Sequence, residues 1–497
     1  MRQRMSNKYL ASLFALLSIA AAFHRPVYCR QISEAERISE LRRLRDELRA
    51  SESLRTADVT VVMSERLIAN SARQMEGLEI RLPRGGVLHL NSIGIELAPA
   101  AAIVKIGVQA KSSINVNLLL SGRLGTGEVK GDLFQLPFQI TEVSIADGPF
   151  TSLFLRTFLG DWLTPKKWNE ELPPLELPLE IGEALQIRAS RFQVEGSLPM
   201  EISTPDYQSS MRFKLRSFLV LEKRLALGLE MIREQTVTPK IIRTSLTEPQ
   251  AQDAAVLENE VARLSEGLRC GSDLRLMINR RVISGLLGQI AAAQRNDFII
   301  DLKACPCRVR SEEVETVVKV LNYTDVESGS GYADVSRLSI ERIADGVLDL
   351  RMSLRGEVDS RLRGREYGIP YRISPHTTFS IEDRIVPLQT ISEGDRVVLR
   401  AAPGASLPIN LRFSIKVAGR ELGINRNTSM QLDRWLNRIE IPSFFGRQFL
   451  LPRRLEVDAG GNLYVTRRLK INFMISNMVV ETTGDAINII ADASFSP

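Results

Sequence analysis

Histidine is almost missing from this sequence, with three residues in a chain of 497. That scarcity argues against imidazole catalysis and histidine-based metal sites, both of which need placed rings. Cysteine is nearly as thin. Cys29, Cys270, Cys305 and Cys307 are the whole set, and Cys305-Pro306-Cys307 has a C-x-C spacing, not the C-x-x-C of zinc ribbons and redox pairs. One disulfide from Cys270 to Cys305 or Cys307, or plain buried thiols, accounts for them. No G-x-S-x-G occurs. The glycine run at Gly122, Gly125 and Gly127 leads to Glu128 where a phosphate-binding loop needs lysine, so it reads as a hairpin turn. Neither a catalytic constellation nor a cofactor or metal motif is marked out, so catalytic, cofactor and metal-ligating residues are all expected to be none.

A strong charge of one sign is lacking too. The net is +6, from 65 Lys+Arg against 59 Asp+Glu. Arg2, Arg4, Lys8 and Arg25 stand without an acid among the first 29 residues, which leaves +2 (6 − 4) for the remainder. A remainder that close to neutral implies no general polyanion-binding surface, and no nucleic-acid partner is expected. The 44% hydrophobic and 25% charged content excludes collagen-like, coiled-coil-only and wholly disordered chains.

What is present begins with a basic stretch, MRQRMSNK, followed by the apolar run Leu10 to Phe23. That run is shorter than a ~20-residue membrane span but fits a signal-peptide core. Ala20-Ala21-Ala22 offers small residues for cleavage, Val27-Tyr28-Cys29 a second option, with acylation at Cys29 or an uncleaved anchor as alternatives. Residues 1–29 are therefore read as a signal peptide. The chain is expected to be exported, periplasmic or extracellular, with this N-terminal segment as one route of membrane association.

Two stretches look alike. VVMSERLIAN from Val61 and LMINRRVISG from Leu276 both run apolar residues into a capping residue, Ser64 or Asn279, and then an amphipathic helix. A β-like run follows each, LEIRL from Leu78 and FIIDL from Phe298. A charged helix precedes each, with stripes Ile38, Leu41, Leu44, Leu48 and Leu257, Val261, Leu264, Leu268. Later, Trp162-Leu163 matches Trp435-Leu436, and Leu177-Pro178 matches Leu451-Pro452. Four matches in one order predict a duplication, with insertions in the second copy around 305–335 and 360–405. Between the helices the apolar residues alternate. Val116, Leu118 and Leu120 do so in one copy, Leu348, Leu350, Met352 and Leu354 in the other, which predicts sheets with one apolar face. The division is 30–245 for the first sheet–helix repeat and 246–497 for the second, with the junction near Gln235 to Gln252.

A repeated unit of this order behind a signal peptide resembles the tubular lipid-binding (TULIP) superfamily, especially tandem two-unit members such as bactericidal/permeability-increasing protein. The resemblance covers most of 57–497. It rests on the capped starts at Ser64 and Asn279, the Leu-Pro strands at Pro178 and Pro452, and the order of elements. It implies an α+β fold of two tandem rolled antiparallel β-sheets, each wrapped around one or two amphipathic helices, with an apolar tube for acyl chains. The expected function is then non-catalytic lipid binding or transfer. The implied partner is phospholipid or another acyl-chain lipid, with transient contact to a membrane surface.

The lining expected for such a tube is Leu67, Ile68 and Met75 on one capped helix and Val282, Ile283, Leu286, Leu287 and Ile290 on the other. Phe154, Phe158 and Trp162 fall near one face of a further helix, as tunnel lining, bilayer contact or plain core. Small residues such as Ala69, Ser71, Ala72, Gly285 and Gly288 either leave room for a ligand or permit close packing. Ser443-Phe444-Phe445-Gly446-Arg447 reads as an exposed aromatic tip or a buried plug. Arginines at 361, 363 and 365, and at 453, 454, 467 and 468, either hold anionic headgroups or form a solvated face. A second reading makes the chain a cell-envelope scaffold that binds protein partners without lipid, its partner surface being the charged stripes at 32–50 and 253–268.

Overall fold

The computed structural model describes residues 34–49, 57–81, 87–111, 115–145 and 175–232, each of the last two spans with short omissions. It also describes 165–166 and 253–496, the latter apart from intervals that include 294–297, 303–307, 432–438, 442–447 and 458–462. All structural statements concern these residues. Outside them lie the expected signal peptide, the 235–252 junction, all four cysteines, Phe154, Phe158, Trp162, Trp435 and the 443–447 segment.

The described chain is mainly β with few helices, which agrees with α+β at a coarse level. Four α-helices are described: α1 (Glu34–Arg49), α2 (Glu65–Arg73), α3 (Ala254–Leu264) and α4 (Arg280–Ala293). A 13-stranded sheet takes its strands from both halves. Its centre runs Tyr207–Leu221, Arg224–Met231, Val59–Ser64, Leu274–Asn279, Ala486–Ser496, Leu463–Thr483, Gln448–Val457. It then continues through Glu79–Arg81 to the hairpins of 87–124. A 12-stranded sheet holds the long strands Lys319–Ala344, Val347–Glu366 and His376–Glu393, and it too includes strands from before residue 245, Ser190–Val194 and Met200–Thr204.

The strands are thus not segregated by half, where a separate sheet for each repeat was expected. The reason lies in strand chemistry. An apolar alternation fixes which face a strand buries but says nothing about its neighbour. The two Leu-Pro segments also part company. Leu175–Pro178 pairs with Leu133–Leu136 in a three-stranded sheet, whereas Pro452 sits in the large sheet beside a register shift. A bulge tolerates proline because no ladder N–H is required there.

The junction between the halves has a symmetric register. Val59 opposes Ile278, Val61 opposes Leu276 and Met63 opposes Leu274, so the pair Val61–Leu276 sits on an approximate dyad. Outward from it, Val59–Ser64 pairs with Arg224–Met231 and Leu274–Asn279 pairs with Ala486–Ser496 over six residues each. In the next strands a bulge falls in the same place: Ser217 opposes Gly228 just after one, and Val479 opposes Ile490 just after the other.

The sheet is apolar on both faces at this junction. Val59 and Met63 join a large core with Leu274, Leu276, Ile278, Leu67 and Val282, and that core extends to Ile340, Leu348 and Ile381 of the second sheet. Val62 points the other way, into a smaller cluster with Leu44, Leu48, Leu219, Leu221, Val261 and Leu268. Burial on both faces is what a strand needs when both neighbours and both layers are protein.

Candidate functional site

The two helices expected to line a tube are both launched from the central seam. In α2 the Ser64 hydroxyl accepts from Leu67 N–H at 3.1 Å, and ahead of α4 the Asn279 side-chain oxygen accepts from Arg281 N–H at 3.0 Å. Each cap satisfies a backbone donor that the helix leaves unpaired. The amphipathic spacing then turns one side of each helix onto the core. Leu67, Ile68 and Met75 are buried, as are Val282 and Ile283, and Leu287 packs half-buried against the same cluster. Leu286 and Ile290 lie on α4, but their side chains are outside the described set. The structure therefore brings six of the expected residues into one continuous apolar core with both sheets.

The small residues divide. Ser71 and Ala72 are buried, and a Cβ placed on Gly285 would stand 3.0 Å from the Met231 Cε, so there the small residue lets helix and sheet approach. A Cβ on Gly288 would meet nothing within 4 Å. From Leu287 onward α4 carries half-buried or exposed positions, unlike its first turns.

Under the helices runs a polar seam that sequence reasoning missed. Asp58 and Asp273 occupy the same place relative to Ser64 and Asn279. The Asp58 carbonyl accepts from Asn279 N–H at 2.9 Å, and the Asp273 carbonyl accepts from Ser64 N–H at 2.8 Å. The Asp58 carboxylate accepts from Met231 N–H at 2.8 Å, and the Asp273 carboxylate accepts from Ala493 N–H at 3.2 Å. Asp273 takes more. Arg66 donates to both its oxygens at 2.8 Å, and the Ser64 hydroxyl donates to it at 2.9 Å. Burial pushes the Asp273 carboxyl up, but the hydrogen bonds from Arg66, Ser64 and Ala493, together with the Arg66 charge, outweigh it and hold the group below the usual aspartate value. The signal was in the sequence: an aspartate stands six residues before each cap.

No family model matches the chain, and no curated protein matches it. Among solved structures, a crystal structure of lipopolysaccharide binding protein aligns with 89% of this chain and 99% of that chain. The identity is 10% and the TM-score 0.25. A score at that level carries no functional argument, and the site is read on its own geometry.

The other candidates resolve as follows. The apolar stripes on α1 and α3 are used within the chain, while the charged faces offered as a partner surface carry exposed residues such as Glu34 and Arg263. Leu41, Leu44, Leu48, Leu257 and Val261 are buried, the two helices pack on each other, and Arg37 and Arg49 pair with Glu258 and Glu260. Arg453 donates to the Glu76 carbonyl and Arg454 pairs with Glu79 at 2.8 Å, so these two arginines tie the halves together. Arg361, Arg363 and Arg365 are exposed. His376 is not isolated. Its Nδ1 lies 2.8 Å from Asp359 and its Nε2 3.4 Å from Glu357, and these carboxylates, Asp359 first, raise its titration above the ordinary histidine value. Neither carboxylate was visible as a partner, because the contacts cross strands of the second sheet. Among the described residues no helix is long and apolar enough to cross a membrane, and no group of three or more His, Cys, Asp or Glu could hold a metal ion.

Proposed function

We propose that this chain is an exported, non-catalytic lipid-binding or lipid-transfer protein. In this reading the two mixed sheets roll apolar faces around the two capped helices and leave room for acyl chains of phospholipid or a similar lipid. The carrying observation is a mismatch of lengths. Helix α4 has 14 residues, roughly 21 Å at about 1.5 Å per residue. It packs on a strand of 26 residues, Lys319–Ala344, roughly 85 Å at about 3.3 Å per residue. One short helix covers only a fraction of such a strand. The apolar face beyond it, with Val326, Ala333 and Val358 all buried, is covered without α4 by other parts of the chain, and an acyl chain would take the place of part of that cover. The first half repeats the imbalance, with the nine-residue α2 against strands of ten to twelve residues.

Acyl chains entering such a groove are driven by burial of apolar surface, at about 25 cal/mol per Å². Leu67, Ile68, Met75, Val282, Ile283 and Leu287 supply the helix side of the wall. The matching seam contacts of Asp58 and Asp273 support the duplication on which the two-unit reading rests.

Organic extraction of the purified full chain followed by mass spectrometry tests the proposal. Acyl lipid at near one or two molecules per chain is expected. A lipid-free protein that also takes up no fluorescent fatty-acid probe overturns it.

A further inference from the structure

Far from the capped helices, the second sheet ends in a hairpin with unusual chemistry. Val347–Glu366 turns into Ile369–Ile373 through two residues, Tyr367 and Gly368, with Glu366 opposite Ile369. Both turn residues have positive φ, 49° and 82°. Two-residue hairpin turns of this kind favour Asn-Gly or Asp-Gly, because a bulky side chain is disfavoured in the left-handed region. Here a tyrosine takes the strained position, and it is 62% exposed. Ile369 beside it is 70% exposed, the highest value among the large exposed hydrophobics, and Pro370 is exposed as well. Apolar surface left in water at such a tip contributes little to folding and is available to something outside the chain.

Behind the tip stand Arg361, Arg363 and Arg365 at alternate positions of one strand. Strand geometry puts them on one face, all exposed, while Leu362 and Gly364 between them are half-buried or buried. Arg372, opposite Arg363, is held by Glu327 at 2.6 Å. The other three have no ion pair among the described residues. Asp325 lies across the ladder from Arg363 but is half-buried and makes no salt bridge with it. From 361 to 373 the chain carries four arginines and one acid, Glu366.

We propose that this hairpin is a membrane-docking device, in which Tyr367 and Ile369 enter the interface of an anionic bilayer and Arg361, Arg363 and Arg365 contact its phosphates. An apolar tip with a tyrosine suits the boundary between headgroups and acyl chains, and guanidinium groups grip phosphate with two donors at once. The occupant is a bilayer because one exposed apolar end sits directly ahead of a row of exposed cations, the order in which a bilayer presents tails and phosphates. The site lies apart from the apolar core assigned to lipid cargo, so docking and cargo can fail separately.

The test is flotation of the full chain with vesicles of phosphatidylcholine, with and without phosphatidylglycerol, at low and high salt. Binding is expected only with phosphatidylglycerol, and high salt weakens it. Each arginine near an anionic surface contributes about five-fold in partitioning, so R361Q/R363Q/R365Q binds roughly 100-fold more weakly. Tyr367→Asn separates docking from folding: asparagine suits the left-handed turn, so the chain still unfolds cooperatively, while vesicle binding falls. A full chain that ignores anionic vesicles overturns the proposal, as does equal binding to vesicles without phosphatidylglycerol, or unchanged binding by the triple variant and by Tyr367→Asn. Lipid extracted from the same preparation reports on cargo independently. Bound lipid without docking removes the hairpin proposal alone.

Discussion

Replacing Asp273 by alanine offers a quantitative test of the seam. The carboxylate is 4% exposed and accepts from Ala493 N–H, the Ser64 hydroxyl and two Arg66 nitrogens. Alanine orphans these donors unequally. Ala493 is buried in a central strand, and a buried N–H without a partner costs about 1–3 kcal/mol. The half-buried Ser64 hydroxyl adds about 1 kcal/mol. The Arg66 side chain is 67% exposed and returns to water, so its ion pair adds only about 0–1 kcal/mol. The sum predicts a loss of about 2–5 kcal/mol in guanidinium unfolding, with Arg66→Gln costing about 1 kcal/mol or less. Because the folded-state titration of Asp273 is depressed, its contribution is present above the unfolded aspartate range near pH 4 and fades as pH falls through the lower folded value. The alanine variant lacks that acid-side loss. If Arg66→Gln is as damaging as Asp273→Ala, or if Asp273→Ala costs under about 1 kcal/mol, satisfaction of the buried N–H is not what holds the seam, and the argument fails.

Two further outcomes follow from the same geometry. Leu67→Ala removes a fully buried side chain at the start of α2 and costs about 2–5 kcal/mol by equilibrium unfolding, and a loss under 1 kcal/mol would mean that the wall there is not tightly packed. His376 titrates above its ordinary value in the folded state, so its pairing with Asp359 and Glu357 stabilises fully below about pH 6.5 and is lost as pH rises through the elevated value. A melting series from acid to alkaline pH shows this decline, and His376→Gln flattens it. A decline that persists in the variant assigns it elsewhere.

Local features were legible in the sequence. Ser64 and Asn279 cap helices where their neighbours place them, and Leu348, Leu350, Met352 and Leu354 bury one side of a strand as their spacing requires. These depend on residues a few positions apart. Strand partners were not legible. Val59–Ser64 finds Leu274–Asn279 more than two hundred residues later, and nothing in either segment names the other. The Leu-Pro match failed for a related reason: a dipeptide that suits a strand end and one that suits a bulge look the same in one dimension. In the capped helices, the buried positions were legible from their period. The aspartates beneath them and the carboxylates around His376 were not, because single polar residues carry no period. The tip at Tyr367 was hidden because only the backbone shows that a tyrosine occupies a left-handed turn.

The placement of the seam sets a schedule for the chain's own synthesis. When residues through Met231 have emerged, the Val59–Ser64 strand has one neighbour, and its other edge is bare until Leu274–Asn279 is made. That second strand in turn waits for Ala486–Ser496. A sheet assembled from its middle outward by such distant segments closes late and slowly, and through most of translation it exposes an adhesive edge. A ribosome-attached chain of this design is a natural client for whatever keeps nascent strands apart.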